Sequence, residues 1–179
     1  MASSDLLGLS IYKSSLIYVD SVSSMFCFIP NEPDIYKWNT NDHLWEHYQD
    51  IDTPAVVNRG QIYLAYDANR DVVVFFGGWN GNILNDTWEW DGIDLIRITP
   101  ITRPKAQANH RLVFDSQREL IILVGEDEEQ GAPRDASVWN WDGVDWTQET
   151  PINNMGARED FGLAYDSHRN VLVAFGGYG

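Results

Sequence analysis

The stretch Tyr63-Leu64-Ala65-Tyr66-Asp67-Ala68-Asn69-Arg70-Asp71-Val72-Val73-Val74-Phe75-Phe76-Gly77-Gly78 decides the fold, because the chain repeats it. Its closest echo is Gly162-Leu163-Ala164-Tyr165-Asp166-Ser167-His168-Arg169, continuing through Val171-Leu172-Val173-Ala174-Phe175 to Gly176-Gly177. A third copy runs from Arg111-Leu112-Val113-Phe114-Asp115 through Leu120-Ile121-Ile122-Leu123-Val124 to Gly125. A fourth, Leu16-Ile17-Tyr18-Val19-Asp20, aligns without gaps and leads to Pro30, with no glycine. The successive aspartates Asp20, Asp67, Asp115 and Asp166 stand 47, 48 and 51 residues apart. Self-similarity at such a period signals a repeat architecture. Each unit opens with two β-prone runs, the second continuous enough for a strand buried on both faces. The turn between them reads Asp67-Ala68-Asn69-Arg70, Asp115-Ser116-Gln117-Arg118 and Asp166-Ser167-His168-Arg169. An aspartate there can accept backbone amides two or three residues on, and the arginine can pair with it or with a neighbouring repeat.

The second half of each unit carries aromatics two apart: Tyr36 and Trp38, Trp88 and Trp90, Trp139 and Trp141. Residues two apart share one strand face, so each pair forms a ridge able to pack between sheets. The turns Asn39-Thr40-Asn41-Asp42, Asp91-Gly92 and Asp142-Gly143 follow, then last strands from Leu44, Leu95 and Trp146, then Thr53-Pro54, Thr99-Pro100 and Thr150-Pro151. A complete unit is thus four short antiparallel strands without a helical pattern, one propeller blade. The expected fold is all-β, a single domain over 1–179 with units at about 15–54, 59–100, 107–151 and 158–179.

The glycine doublets closing second strands, the spaced aromatics and a period near fifty resemble the kelch repeat, also seen in the central domain of galactose oxidase. The resemblance covers the chain from about Ser15 onward. It implies a kelch-type propeller of about three and a half repeats. The first unit departs from the pattern by lacking its glycines, and the third by having only Gly125 before Glu126. A WD40 reading is weaker, since no Gly-His dipeptide precedes Trp90-Asp91 or Trp141-Asp142. The fourth unit reaches Gly179 after two strands. A propeller closes into a ring, so the count leaves three routes: sequence beyond this stretch, a second subunit, or an N-terminal strand at Leu6-Leu7-Gly8-Leu9-Ser10-Ile11-Tyr12. A homo-oligomer, a dimer above all, is the expectation unless the chain is a fragment.

Twenty-seven acidic against twelve basic residues give the 179-residue chain a formal charge of −15. That field repels nucleic-acid phosphates and anionic membranes, and favours a cation, a basic protein surface or a neutral sugar. The single cysteine, Cys27, lies in an apolar run and reads as a buried small hydrophobe. Neither a secretory signal nor an apolar span is seen, and a cytoplasmic protein is expected.

In kelch propellers the loops before first strands and after second strands share one face, and the resemblance nominates residues there. Arg59 and Arg158 each stand eight residues before their aspartates. They either converge on the channel mouth to bind an anion or fasten one blade to the next. Arg103, His110, Glu159 and Asp160 occupy similar loops. Trp79 with Asn80 and Asn82 sits on a glycine-flanked loop of one repeat only, where an exposed indole beside amides suits a sugar ring. Glu126, Asp127, Glu128 and Glu129 form an acidic loop, a weak calcium candidate without the spacing of a dedicated site. His43 and His47 fall around a turn, where a metal is not expected.

No catalytic residue and no cofactor is assigned. The leading reading is a non-catalytic binding or interaction module presenting propeller-face loops to a protein or carbohydrate. One alternative is a small sugar-processing enzyme, mutarotase- or lyase-like, with Arg59, Arg158, His110, Glu159 and Asp160 at the channel mouth. It requires a shifted histidine or carboxylate facing an arginine inside a pocket. Another is an assembly module whose incomplete blade pairs with another chain.

Overall fold

The computed structural model describes residues 14–29, 32, 34–51, 53, 56, 59–126, 136–150 and 155–179. Strands run β1 Ser15–Val19, β2 Ser24–Phe28, β3 Asp34–Asn39, β4 Leu44–Asp50, β5 Leu64–Asp67, β6 Val72–Phe76 and β7 Thr87–Trp90. They continue as β8 Leu95–Ile98, β9 Arg111–Asp115, β10 Leu120–Glu126, β11 Ala136–Trp141, β12 Trp146–Glu149, β13 Glu159–Asp166 and β14 Val171–Tyr178. Three four-stranded antiparallel sheets form in chain order, β1–β4, β5–β8 and β9–β12, and β13 pairs with β14 alone. This is the expected all-β architecture of blades. The N-terminal segment 6–12 lies outside the described residues.

The repeated turns form as their chemistry dictates. Asp67 Oδ1 accepts the amides of Asn69 and Arg70 at 3.0 and 3.1 Å, while Oδ2 accepts Arg70 Nε at 2.7 Å. Asp115 and Asp166 do the same with Gln117 and Arg118, and with His168 and Arg169. The four-residue turn ends in a left-handed residue, Asp71, Glu119 or Asn170. In the first unit Val19, not Asp20, pairs with Ser24 as Asp67 pairs with Val72. The gapless alignment on Asp20 is therefore one residue out. Ile29, nine residues after Asp20, holds the place of Gly77, and an apolar residue fills the turn aspartate's position.

Alternate residues of each blade face opposite neighbours. Ala65, Val74 and Phe76 pack forward onto Leu112, Ile121, Leu123, Trp139 and Trp141 of the third blade. Val73, Phe75, Trp88 and Trp90 pack backward onto Val19, Phe26, Phe28 and Ile35 of the first. Ile122 and Val124 repeat the forward contact against Phe161, Leu163 and Leu172. The aromatic ridges behave as anticipated in the second and third blades, where Trp90 meets Phe26 and Phe28 edge-on at 5.0 and 5.4 Å. Trp38, the counterpart of Trp90, is only half-buried and rests on Trp45 within its own sheet.

Polar ties cross between blades as well. Trp141 Nε1 donates to Glu89 Oε1 at 2.9 Å, the same oxygen that accepts Arg70 Nη1 at 2.6 Å. Trp90 Nε1 reaches Gln49 Oε1 and Trp146 Nε1 reaches Thr87 Oγ1. Each indole buries its ring against the neighbouring sheet while its single donor stays satisfied. Cys27 is buried as expected, and burial pushes its thiol up to about 11.

Candidate functional site

The glycine pair after β6 brings the loops of two blades together. Gly77 and Gly78 have φ of +57° and +93°. A Cβ at Gly77 would lie 2.5 Å from Gln107 O, and one at Gly78 2.8 Å from Gly60 O. Only glycine tolerates both the conformation and the approach. Gly78 N donates to Gln107 O, and Gly60 and Trp79 exchange backbone hydrogen bonds at 2.8 and 3.0 Å. The loop carrying Trp79 is thereby clamped to the loop ahead of β5.

Trp79 remains 52 % exposed above a pocket lined by Gln61, Ile83, Gln107, Ala108, Asn109, Glu126 and Glu159. Gln61 Nε2 donates to Asn109 Oδ1 at 2.9 Å, which fixes both amides at the rim. The pocket therefore joins an indole face, the side-chain amides of Gln61 and Asn109 and two carboxylates, drawn from three units, while Gln107 is only 2 % exposed and its Nε2 donates to Ser137 Oγ. Such a surface stacks on an apolar ring face and hydrogen-bonds surrounding hydroxyls. Asn80 and Asn82 sit exposed at the loop tip and bond mainly to each other, Asn82 N to Asn80 Oδ1 at 3.4 Å.

The other nominated residues are placed differently. Arg59 is 1 % exposed; its Nη1 donates to Gly77 O at 2.8 Å and to Asp86 Oδ1 at 2.7 Å, and its Nη2 to Asp86 Oδ2 at 2.8 Å. These partners lie in the same unit as Arg59, so the bonds brace one blade rather than reaching the next, and the side chain is enclosed rather than presented to a ligand. Burial pushes the Asp86 carboxyl up, but hydrogen bonds from Arg59 and from the Trp88 indole outweigh it and leave it below its ordinary value. Arg158 repeats the arrangement in part, with Nη1 on Gly176 O at 3.2 Å and Nε on Met155 O at 3.1 Å. Arg103 is exposed at a distance from the pocket lining.

His110 is fully buried, edge-on to Tyr63 and Phe76 at 5.5 and 5.7 Å, and does not line the pocket. Burial, with the Arg111 charge beside it, pushes its pKa down to about 3, so the ring is neutral at ordinary pH. Glu159 and Asp160 begin β13 rather than a loop, and Asp160 lies 3.9 Å from Arg111. Glu126 ends β10, while Asp127, Glu128 and Glu129 lie outside the described residues. His43 stacks near Trp38, and His47 sits 3.3 Å from Asp34 and 2.8 Å from Asp50 on an exposed sheet surface. Those three could offer ligand atoms to a cation, and exposed acidic groups gather in this way without one.

Gln61, Gln107, Asn109 and Arg111 were not nominated from the sequence. A signal existed: Gln61 and Asn109 stand 48 residues apart, as do Arg59 and Gln107, the repeat spacing of Asp67 and Asp115. Arg111 stacks over Tyr63 at 4.0 Å and donates to Phe161 O at 2.7 Å, tying three units together.

The chain is similar in structure to TolB from Acinetobacter baumannii, with a TM-score of 0.53 and 9 % sequence identity. The match covers 90 % of this chain and 36 % of that one, so the chain spans about a third of its length. At that identity the likeness concerns the propeller-like fold alone. No family model matches the chain, and no curated protein matches it. Among the described residues, no helix is long and apolar enough to cross a membrane.

Proposed function

We propose that this chain is a kelch-type propeller module that binds, without catalysis, a neutral carbohydrate on its loop face. The observation that carries the reading is Trp79, half exposed on a clamped loop beside Gln61 and Asn109. A rigid indole loses little entropy on stacking, and preset amides supply directional bonds to hydroxyls. Glu126 and Glu159 at the rim, with the chain's net charge of −15, disfavour anionic sugars.

The enzyme alternative needs a shifted acid or base facing an arginine in the pocket. Arg59 instead faces Asp86, and His110 faces Tyr63 and Phe76. This placement supports binding over turnover. The test is calorimetric titration of the chain with a panel of neutral and acidic oligosaccharides, alongside a Trp79→Ala variant. Saturable binding of a neutral sugar, lost in the variant, is the expected result. Binding that survives Trp79→Ala, or a preference for acidic sugars, refutes the reading.

A further inference from the structure

Between the second and third blades the fold places a cation against an Asp-Gly turn. Arg70, in the turn between β5 and β6, lies against Gly143 of the third blade. A Cβ added there would come 2.8 Å from Arg70 Nη1 and 2.9 Å from its Cζ and Nε. Asp67 and Glu89 hold the guanidinium at 2.7 and 2.6 Å. The junction between the first and second blades is built differently. Strand pairing puts Val19 at the position of Asp67, so Val22 stands at the place of Arg70. A Cβ on Gly92, the counterpart of Gly143, meets nothing within 4 Å.

A cleft of about 360 Å³, open to solvent, lies at that junction. Val22, Tyr48, Tyr66 and Trp90 line it together with Asp71 and Asp91. Each carboxylate is fixed through one oxygen. Asp71 Oδ1 accepts Ser21 Oγ at 2.6 Å and Tyr66 OH at 2.7 Å. Asp91 Oδ1 accepts the amides of Ile93 and Asp94 at 2.9 and 2.7 Å. Tyr48 OH donates to Gly92 O at 3.2 Å, which ties one wall of the cleft to the other.

We propose that this cleft receives the guanidinium of an arginine presented by a partner protein, in the place that Arg70 fills at the next junction. Asp71 and Asp91 supply the negative charge that Asp67 and Glu89 supply to Arg70, and the tyrosine rings suit a planar cation. Lys37, at the register position of Glu89, sets its ammonium 5.8 and 5.7 Å from the Phe26 and Tyr48 ring centroids and does not line the cleft. The two carboxylates outweigh its single charge. The rim points to a protein source: Val22 is 52 % exposed and Ile93, beside Gly92, is 74 % exposed. They offer apolar contacts to residues flanking an arginine, which a free guanidinium would not use. The cleft lies at the strand ends opposite the Trp79 loop, and the proposal does not depend on sugar binding.

The probes are ethylguanidinium, its neutral analogue ethylurea, and the capped tripeptides acetyl-Val-Arg-Val-amide and acetyl-Val-Lys-Val-amide. Each is titrated at constant ionic strength into the whole 179-residue chain, with the Gly92 amide and Trp90 indole signals as reporters. We expect saturable shifts with ethylguanidinium and none with ethylurea. The arginine tripeptide should bind at least tenfold tighter than ethylguanidinium and at least threefold tighter than the lysine tripeptide. Asp71→Asn and Asp91→Asn keep the Oδ1 acceptor that each turn uses, and each should weaken binding at least fivefold. Val22→Arg, which supplies the arginine from the chain itself, should abolish it. Unchanged circular dichroism melts show that the variants fold. No binding of the arginine tripeptide, or binding indifferent to the three substitutions, overturns the proposal. So does ethylguanidinium binding as tightly as the tripeptide, which would make the ligand a free small cation, or a lysine tripeptide that binds equally well.

Discussion

Arg59 and Asp86 form a two-pronged pair across one blade, Nη1 to Oδ1 at 2.7 Å and Nη2 to Oδ2 at 2.8 Å, with the arginine almost wholly enclosed. It fastens the loop before β5 to the start of β7. Removing one partner leaves the other charge buried, which typically costs about 3–5 kcal/mol. Urea unfolding of Asp86→Asn and Arg59→Met should show losses of that order, with the double variant recovering much of the deficit. Additive losses would mean that the pair contributes no coupling.

Acid titration should separate two groups. His110 is held neutral with its pKa near 3, whereas in the unfolded chain it binds a proton below 6.5. A group with a depressed folded pKa contributes stability above its unfolded value and loses it as pH falls toward the folded one. Between pH 6.5 and 3 the chain should therefore lose up to about 1.4 kcal/mol per pH unit. In His110→Phe that slope should flatten above pH 4, while the loss below 3.8 from Asp86, also depressed, should remain. Parallel profiles for wild type and variant would contradict the buried neutral ring.

Two turn glycines share a φ of +95° but differ in surroundings. A Cβ at Gly92 meets nothing within 4 Å, whereas one at Gly143 lies 2.8 Å from Arg70 Nη1 on the neighbouring blade. Gly92→Ala should cost only the strain of the left-handed backbone, about 1–2 kcal/mol. Gly143→Ala should cost roughly a further 1–3 kcal/mol, because Arg70 must shift from Asp67 and Glu89. Equal melting temperatures for the two variants would show that Arg70 does not couple the blades.

Phe76 and Phe175 hold matching positions on β6 and β14, yet they are 0 % and 84 % exposed. Phe76→Ala should destabilise by about 3–5 kcal/mol, and Phe175→Ala by well under 1 kcal/mol. A large loss from Phe175→Ala in the isolated chain would mean that its face is already covered in solution.

Features made within one hairpin were legible in the sequence. The Asp67, Asp115 and Asp166 turns follow from side chains bonding amides two and three residues on. The apolar runs of β6 and β10 announce burial on both faces. Distance in sequence hid the rest. The burial of Arg59 depends on Asp86, 27 residues away, which nothing local reveals. Asp20 looked like its counterparts because its neighbours match, whereas strand pairing puts Val19 at that position. Of the site, Trp79 stood out as a lone aromatic on a glycine loop. Gln61 and Asn109 did not, since amides are common on loops and only their shared register marks them.

Trp79 is the proposed contact for a neutral sugar, and indole resonances read it directly. The chain has eight tryptophans, so a proton–nitrogen correlation spectrum shows up to eight indole signals, with Trp79 assigned by its loss in Trp79→Phe. Titration with the sugar that binds in calorimetry should shift the Trp79 indole saturably, while the buried Trp90, Trp141 and Trp146 signals stay in place. A still Trp79 signal while another indole moves would place the binding surface elsewhere and rule out Trp79 as the sugar contact.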